Sequence, residues 1–274
     1  MPLSSPHPSS AACRRFDAAL LSRTRDWTGR IGAQNRTSVV CVQEDRDEEW
    51  LSLLGSGREL GPCSIVVEDL DLRPGLSLRL SGRSLLFGDG RRMALSGAGQ
   101  VLEVGGGAVM DQGVLSAQLE SPVWPRLGRA GLLDQALAKA LETLLGEIRR
   151  AGPLRSLRRL VGLGEGSTPS GDDMLVGVLA GLRRLAPGTP KEQGLRDAVA
   201  VLPDKASTPL GLQMLRQAAE GRFVEPLARL AAGLGSAGAA QTLEEDIRRL
   251  GAVGARSGTD MLTGLFFLAR GECQ

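Results

Sequence analysis

Between Thr37 and Val109 the apolar positions fall in short runs separated by glycine and polar residues: Ser38–Val42, Ser64–Glu68, Leu76–Leu80, Ser84–Phe87 and Val101–Val104. The run LSLRL at Leu76–Leu80 alternates strictly, which is the period of a half-buried strand. Gly-Asp-Gly at 88–90 and Ser-Gly-Ala-Gly at 96–99 are turn chemistry at hairpin spacing. This half predicts a small antiparallel β domain, a barrel or a sandwich.

After Trp124-Pro125 the period changes. Leu133, Leu137, Leu141, Leu144, Leu145 and Ile148 recur at three and four, predicting an amphipathic helix that stops at Gly152. Thr208-Pro209 reads as the start of another, with Leu212, Leu215, Ala218 and Ala219 on one face and a stop at Gly221. Thr242-Leu-Glu-Glu245 has the form of a capping box opening a helix to Leu250. Strands followed by helices predict the α+β class. The expected domains are an N-terminal antiparallel β-rich domain at 31–127 and a mainly helical C-terminal domain at 128–274. A Ser/Pro-rich tail, 1–30, is expected to be disordered or loosely ordered.

Composition removes several function classes. With 33 Lys and Arg against 31 Asp and Glu the net charge is only +2, and aromatics make up 3%. Neither a basic patch nor stacking platforms are on offer, so nucleic acid is not an expected partner. His7, in the tail, is the one histidine, and tyrosine is absent. A Ser-His-Asp or Cys-His mechanism and a His-ligated zinc site therefore lack their central residue. Cys13, Cys41, Cys63 and Cys273 form no C-x-x-C pair and read as reduced thiols, Cys41 and Cys63 in strand cores. Trp27, Trp50 and Trp124 read as packing anchors. No apolar signal core or membrane-length run occurs, so a soluble, cytoplasmic protein without membrane contact is expected.

The densest chemistry lies in Val161–Gly181, VGLGEGSTPSGDDMLVGVLAG, where a glycine-punctuated loop runs into Ser-Gly-Asp-Asp and then an apolar helix. A shorter echo, Ser257-Gly-Thr-Asp-Met-Leu-Thr-Gly264, follows near the C-terminus. Ser170–Asp173 and Ser257–Asp260 both fit the capping-box pattern, which alone would account for those four residues. Similarity between the segments is at the level chance produces in a chain so rich in Leu, Gly and Ala. Capping leaves Asp172, the glycines Gly162, Gly164 and Gly166, and the hydroxyl of Thr168 unexplained. Gly177, Gly181 and Gly264 form small-residue ridges suited to close helix packing. Were the two helices parallel neighbours, Asp172, Asp173 and Asp260 would meet at their N-termini.

Helix N-termini favour anions, yet three carboxylates would repel one. A divalent ion such as Mg²⁺ between Asp172, Asp173 and Asp260, or the adjacent Arg256, would resolve that conflict. The loop lacks Gly-Lys-Ser/Thr, so it is no Walker A motif. Because it follows an expected helix at Leu154–Leu160, it does not fit a dinucleotide fingerprint either.

The run Gly162–Asp173, G-L-G-x-G-x-T-P-S-G-D-D before an apolar helix, resembles the signature of the AllH-like family, bacterial proteins long classed as a domain of unknown function. That family includes a subunit associated with oxamate carbamoyltransferase in anaerobic allantoin degradation. Ser257–Gly264 is similar to the family's second block, and a β-rich half ending near Trp124-Pro125 agrees in order. The chain departs from the family pattern at Glu165, Ser167 and Thr259, where members usually carry Pro, Leu and often an aromatic.

The resemblance implies carbamoyl transfer between carbamoyl phosphate and oxamate or oxalurate, in a complex with other subunits. The chain has no Ser-x-Arg-Thr phosphate loop of the conventional transcarbamoylases. The expected small-anion or acyl-phosphate site therefore rests on Asp172 and Asp173 as catalytic or metal-holding groups. Gly164, Gly166, Thr168, Ser170 and Gly171 are expected as its cradle, and Ser257, Gly258 and Asp260 as the opposite wall. Two alternatives stand beside this: an assembly or regulatory subunit whose motifs are structural capping boxes, and an independent Mg²⁺-dependent phosphotransferase.

Overall fold

In the computed structural model the chain divides into two compact units, Met1–Val101 and Leu102–Gln274. The structure describes residues 13–22, 26–34, 38–43, 50–68, 72–96, 98–100, 102–104, 110–124, 135–152, 154–239 and 241–272. His7, Pro125, Leu133 and Cys273 lie outside them.

The first unit is a single sheet. Its strands are β1 (Cys13–Asp17), β2 (Trp27–Gln34), β3 (Ser38–Gln43), β4 (Trp50–Gly55), β5 (Ser64–Val67), β6 (Ser77–Ser81), β7 (Ser84–Phe87), β8 (Arg92–Ala94) and β9 (Ala98–Gln100). They lie in the order β8-β7-β6-β2-β3-β4-β5-β1-β9. Pairing is antiparallel except at β4–β5 and β1–β9. In β6 Leu78 and Leu80 are buried while Ser77 and Arg79 are exposed, as the strict alternation requires. Val39 and Cys41 of β3, Leu51 and Leu53 of β4, and Phe16 of β1 join them in one core. Burial pushes the Cys41 thiol up to about 12, which leaves it an inert core residue.

Three expectations change here. The two-layer or closed alternatives give way to one open order of nine described strands. Residues 13–22, expected within a loose tail, form β1 and a 3-10 turn, because Phe16 and Leu20 supply apolar side chains to the core. Ser96–Gly99, expected as a turn, leads into β9, which pairs with β1. Gly99 lies flat on Phe16 there: a Cβ would come within 3.3 Å of the ring. The glycine that resembled turn chemistry marks a close approach instead.

The second unit is mainly helical: α1 (Gln112–Leu119), α2 (Gln135–Arg149), α3 (Leu157–Leu160), α4 (Ser170–Leu185), α5 (Pro190–Ala200), α6 (Pro209–Ala219), α7 (Glu225–Gly233), α8 (Leu243–Gly251) and α9 (Ser257–Glu272). Together the two units make an α+β chain, β-rich then helical. Leu102–Val104, the tail of an expected strand, belongs to this unit and makes only an isolated bridge from Glu103 to Arg222. Val104, Leu115 and Trp124 are in its core, although the change of period in the sequence comes only after Trp124. Trp124 stacks on Phe266 at 5.2 Å between ring centres and donates its indole N–H to the Gln118 carbonyl at 2.8 Å.

Helix starts differ in how they are made. Thr208 caps α6, accepting from the Gly211 amide at 3.0 Å. The box expected at Thr242 does not form, because Thr242 sits in the αR region and its hydroxyl donates back to the Ala239 carbonyl at 3.2 Å. Glu245 pairs with Arg248 instead.

Every residue of α4 from Ser170 to Leu182 is buried, so this is the central helix of the unit. Its main neighbour is α9, and glycine sets their separation. A Cβ on Gly177 would lie 2.0 Å from the Met261 carbonyl oxygen, and one on Gly264 would lie 1.9 Å from that of Met174. Thr168 touches Ser257 at one end of the pair and Gly181 faces Leu265 and Leu268 at the other, so the helices run parallel.

Gly177→Ala and Gly264→Ala should each drive a methyl into backbone that has no rotamer with which to retreat. Each should lower stability by about 2–3 kcal/mol or more, the upper end of the overpacking range. Chemical denaturation measures this, and a loss no larger than that of Gly194→Ala, where nothing lies within 4 Å, would contradict the packing role.

Candidate functional site

Two short helices feed the central pair by the same device. Leu160 ends α3 and accepts from the Leu163 amide at 3.1 Å; Leu250, near the end of α8, accepts from the Val253 amide at 2.9 Å. Leu163 then accepts from the Gly171 amide at 2.8 Å, and Val253 from the Gly258 amide at 3.0 Å. Gly171 and Gly258 are packed hard against these carbonyls, since a Cβ would lie 1.9 Å from the oxygen of Leu160 and 1.7 Å from that of Leu250. Gly164 and Gly254 have positive φ and rest on Ser170 and Ser257 respectively. With the reciprocal Gly177 and Gly264 contacts, these matches make α3–α4 and α8–α9 two copies of one helix–loop–helix unit. The sequence echo is thus a structural repeat.

At the start of α4 the capping box is absent. Ser170 is already helical, Pro169 occupies the cap position, and no side chain caps the helix. The amides of Asp172 and Asp173 go to the Pro169 carbonyl at 2.9 and 3.2 Å, and that of Asp260 to the Arg256 carbonyl at 3.0 Å. The hydroxyls are directed across the pair: Thr168 and Ser257 bond to each other at 3.0 Å. Ser257 and Thr168 face Asp173, while Ser170 faces Asp260, so each serine attends the carboxylate of the other helix.

The three carboxylates have different fates. Asp172, 1% exposed, is fully engaged: one oxygen accepts from the Gly162 amide at 2.8 Å and the other from the Ser207 hydroxyl. It clasps the loop before α4 to the segment before α6. The Thr208 hydroxyl adds to that clasp by donating to the Ser167 carbonyl at 2.6 Å. Asp173 is also 1% exposed, yet neither of its oxygens has a partner at hydrogen-bonding distance and angle. Asp260 has one such oxygen, Oδ2. Burial pushes the Asp173 carboxyl up to about 7, opposed by the nearby Ser257 and Thr168 hydroxyls and reinforced by the charges of Asp260 and Asp172. Asp260 and Asp172 are raised as well, again chiefly by burial.

The structure brings Thr168, Ser170, Asp173, Ser257 and Asp260 together. Gly166 is exposed with open space around it, and Gly164 is exposed on its outer side. Gly171, expected in the cradle, and Gly258, expected in the opposite wall, are packed against the chain's own carbonyls. The expected metal set of Asp172, Asp173 and Asp260 is not assembled: among the described residues no group of three or more His, Cys, Asp or Glu gathers as a metal cage. Asp172 faces Gly162 and Ser207 instead. Sequence reading missed Ser207 and Gly211, where a Cβ would lie 2.3 Å from an Asp172 oxygen. A signal was present: Ser-Thr-Pro occurs at both 167–169 and 207–209, before the two helices this clasp joins.

Asp172→Ala should lose about 2–3 kcal/mol, the scale for stranding buried donors of a charged acceptor. Asp173→Asn should hold or raise the melting temperature, because it removes an unpaired buried charge. The sign with pH follows from a folded value near 7 above an ordinary 3.8. Native protein binds the extra proton between those values, so the stability difference changes through that window. Below about pH 4 wild type and Asp173→Asn should melt alike, and the wild type should fall behind as pH rises through about 7. A gap that does not vary with pH would remove burial of an ionisable Asp173 as its cause.

No curated protein and no solved structure matches the chain. A family model described as oxamate carbamoyltransferase subunit AllH matches residues 160–269. That span opens on the last residue of α3 and closes within α9, taking in α4, α8, the loops before α4 and α9, and every residue of the paired helix N-termini. Over those residues, which carry both Ser-Gly-x-Asp motifs, the chain is similar to the AllH family.

Proposed function

We propose that this chain is a subunit of a carbamoyltransferase-type complex and that its helical unit holds a small-molecule ligand between the N-termini of α4 and α9. The family description over residues 160–269 supports the first half of this reading. Asp173 carries the second half. A carboxylate 1% exposed with both oxygens unpartnered weakens the fold, and folds keep such groups where a ligand completes them. Asp173 and Asp260 would contact the ligand, the hydroxyls of Thr168, Ser170 and Ser257 would orient those carboxylates, and Asp172 would position the loop. A carboxyl near neutrality can also accept a proton from an attacking nitrogen at physiological pH.

Partner subunits would complete the transfer machinery, since among the described residues the cation felt by these carboxylates is Arg256, whose charge lowers Asp260. Capping boxes, the basis of the purely structural reading, are not what α4 uses. Mg²⁺ remains compatible with Asp173 and Asp260 if substrate oxygens and water fill its other positions.

The test is a carbamoyl-transfer assay on the chain co-purified with its partner subunits, using carbamoyl phosphate and oxamate with and without Mg²⁺. Asp173→Asn should lower turnover by about 100-fold or more, the usual loss when a positioned acid–base group is removed. Assembly should be unchanged on size-exclusion chromatography. Full activity in an intact Asp173→Asn complex would place the chemistry elsewhere.

A further inference from the structure

Resting on the reading of this chain as a subunit, we propose that the exposed face bearing Arg149, Arg150, Arg155, Arg158 and Arg159 is its docking surface for an acidic partner protein, whose carboxylates it clamps. The stretch from 147 to 160 holds these five arginines and one acid, Glu147. That excess is larger than the net +2 of the whole chain, so positive charge is concentrated here.

Local structure puts the five on one surface. α2 ends at Arg149 and α3 begins at Leu157. Glu147 ties the two together, its Oε2 accepting from the Ser156 amide at 3.0 Å and from the Ser156 hydroxyl at 2.6 Å. Arg150 and Arg155 both act on the Glu147 charge, one from each side of the junction. Arg155, Arg158 and Arg159 follow at i, i+3 and i+4 and are all exposed, while Ser156, Leu157 and Leu160 are buried. Arg149 and Arg150 are exposed too, and Arg149 lies against α9 at Gly271.

Helix ends explain part of this. A cation in the last turn complements the helix dipole, and Arg149 and Arg159 meet that need. Five do not, because arginines at i, i+3 and i+4 repel one another around a helix of four residues. Elsewhere the fold answers guanidinium groups with carboxylates, as in Arg14–Glu68, Arg79–Asp26 and Arg216–Asp204. Among the described residues none of these five arginines is in an ion pair or donates a side-chain hydrogen bond.

The chemistry of the occupant follows. All five are arginine although the chain also has lysine, and the guanidinium fork takes a carboxylate through two parallel hydrogen bonds. A second copy docked on this face about a two-fold axis would set arginine on arginine, which opposes self-association here. A nucleic-acid strand calls for stacking platforms and a bilayer for apolar side chains beside the charge. Residues 147–160 contain no aromatic, and Ile148, Leu157 and Leu160 are buried. An acidic protein surface fits what is left. Its place bears on the ligand site as well: α3 runs towards the exposed loop 164–167, and the Leu160 carbonyl packs on Gly171 at the start of α4.

The experiment measures association of the full chain with its separately purified partner subunits, by biolayer interferometry at about 50 and about 300 mM NaCl. Arg158→Glu/Arg159→Glu and Arg149→Glu/Arg150→Glu should each weaken association by about 100-fold or more, with the larger loss at low salt. Arg158→Lys/Arg159→Lys keeps the charge and should lose about tenfold, because the bidentate grip goes. Arg158→Gln/Arg159→Gln replaces the reversed pair if reversal at the helix end lowers the melting temperature. Arg30→Glu/Arg73→Glu, on exposed arginines of the first unit, makes the same change in net charge and should stay within about threefold of wild type.

Full association of both reversed pairs, with a wild-type complex that forms, would overturn the docking surface and leave the subunit reading in place. A loss matched by Arg30→Glu/Arg73→Glu, or one indifferent to salt, would overturn it too. Binding of duplex DNA or phosphatidylglycerol vesicles at about 150 mM NaCl, lost in the reversed pairs while partner association is kept, would give the face to that occupant instead. Failure of the wild-type chain to associate with the partner subunits would overturn the subunit reading and this proposal with it.

Discussion

Everything in the helical unit is arranged around the contact in which two glycines let two helix backbones touch. With Gly177 under the Met261 carbonyl and Gly264 under that of Met174, no side chain intervenes at the crossing of α4 and α9. That closeness has a consequence one turn upstream. Asp173 and Met174 are consecutive, as are Asp260 and Met261, so the glycine contact fixes the distance between the carboxylates. Larger residues at the crossing would spread the N-termini and let water reach Asp173. The burial that makes its acidity unusual begins with two missing methyl groups.

Adjacent aspartates in one sequence motif perform opposite tasks. Asp172 is consumed by Gly162 and Ser207 and contributes to stability, whereas Asp173 is buried beside the Ser257 and Thr168 hydroxyls with neither oxygen in a well-formed hydrogen bond. A helix turns by about 100° per residue, so neighbours at its first turn face different elements. Asp172 looks to the α6 start and Asp173 to α9. The clasp made by Asp172 is what allows Asp173 to stay unsatisfied, because it holds the loop over the site without borrowing the second carboxylate. Reading the pair as a single acidic cluster, as the sequence invites, hides this division.

Much of the architecture was legible because it rests on local periodicity. The alternation at Leu76–Leu80 became β6, and the three-and-four spacing from Leu137 to Ile148 became α2. The resemblance at Gly162–Asp173 located the segment that the AllH family model matches. What escaped depends on partners distant in sequence. Gly99 resembles a turn residue until Phe16, more than eighty positions earlier, is seen against it. Ser170 and Ser257 have the spacing of capping boxes, yet Pro169 takes the cap position of α4, and the serines turn to the opposite helix. No one-dimensional pattern separates a serine that caps its own helix from one that faces another.

The repeat is imperfect, and its imperfection bears on function. Two residues separate Gly254 from Ser257, while five separate Gly164 from Ser170; the longer loop carries Glu165, Gly166 and Ser167 into solvent. That loop brings Thr168 to Ser257 and leaves α9 without an equivalent hydroxyl of its own. On the other side Arg256, directly before α9, lowers Asp260, and α4 has Pro169 at the matching position. Asp173 therefore holds a proton more readily than Asp260, although their backbones are related by near-symmetry. A symmetric pair would bind a planar ligand in two orientations with equal ease. With one carboxyl the better proton donor and the other the better acceptor, a ligand bridging the pair in the proposed site would be held in a single orientation.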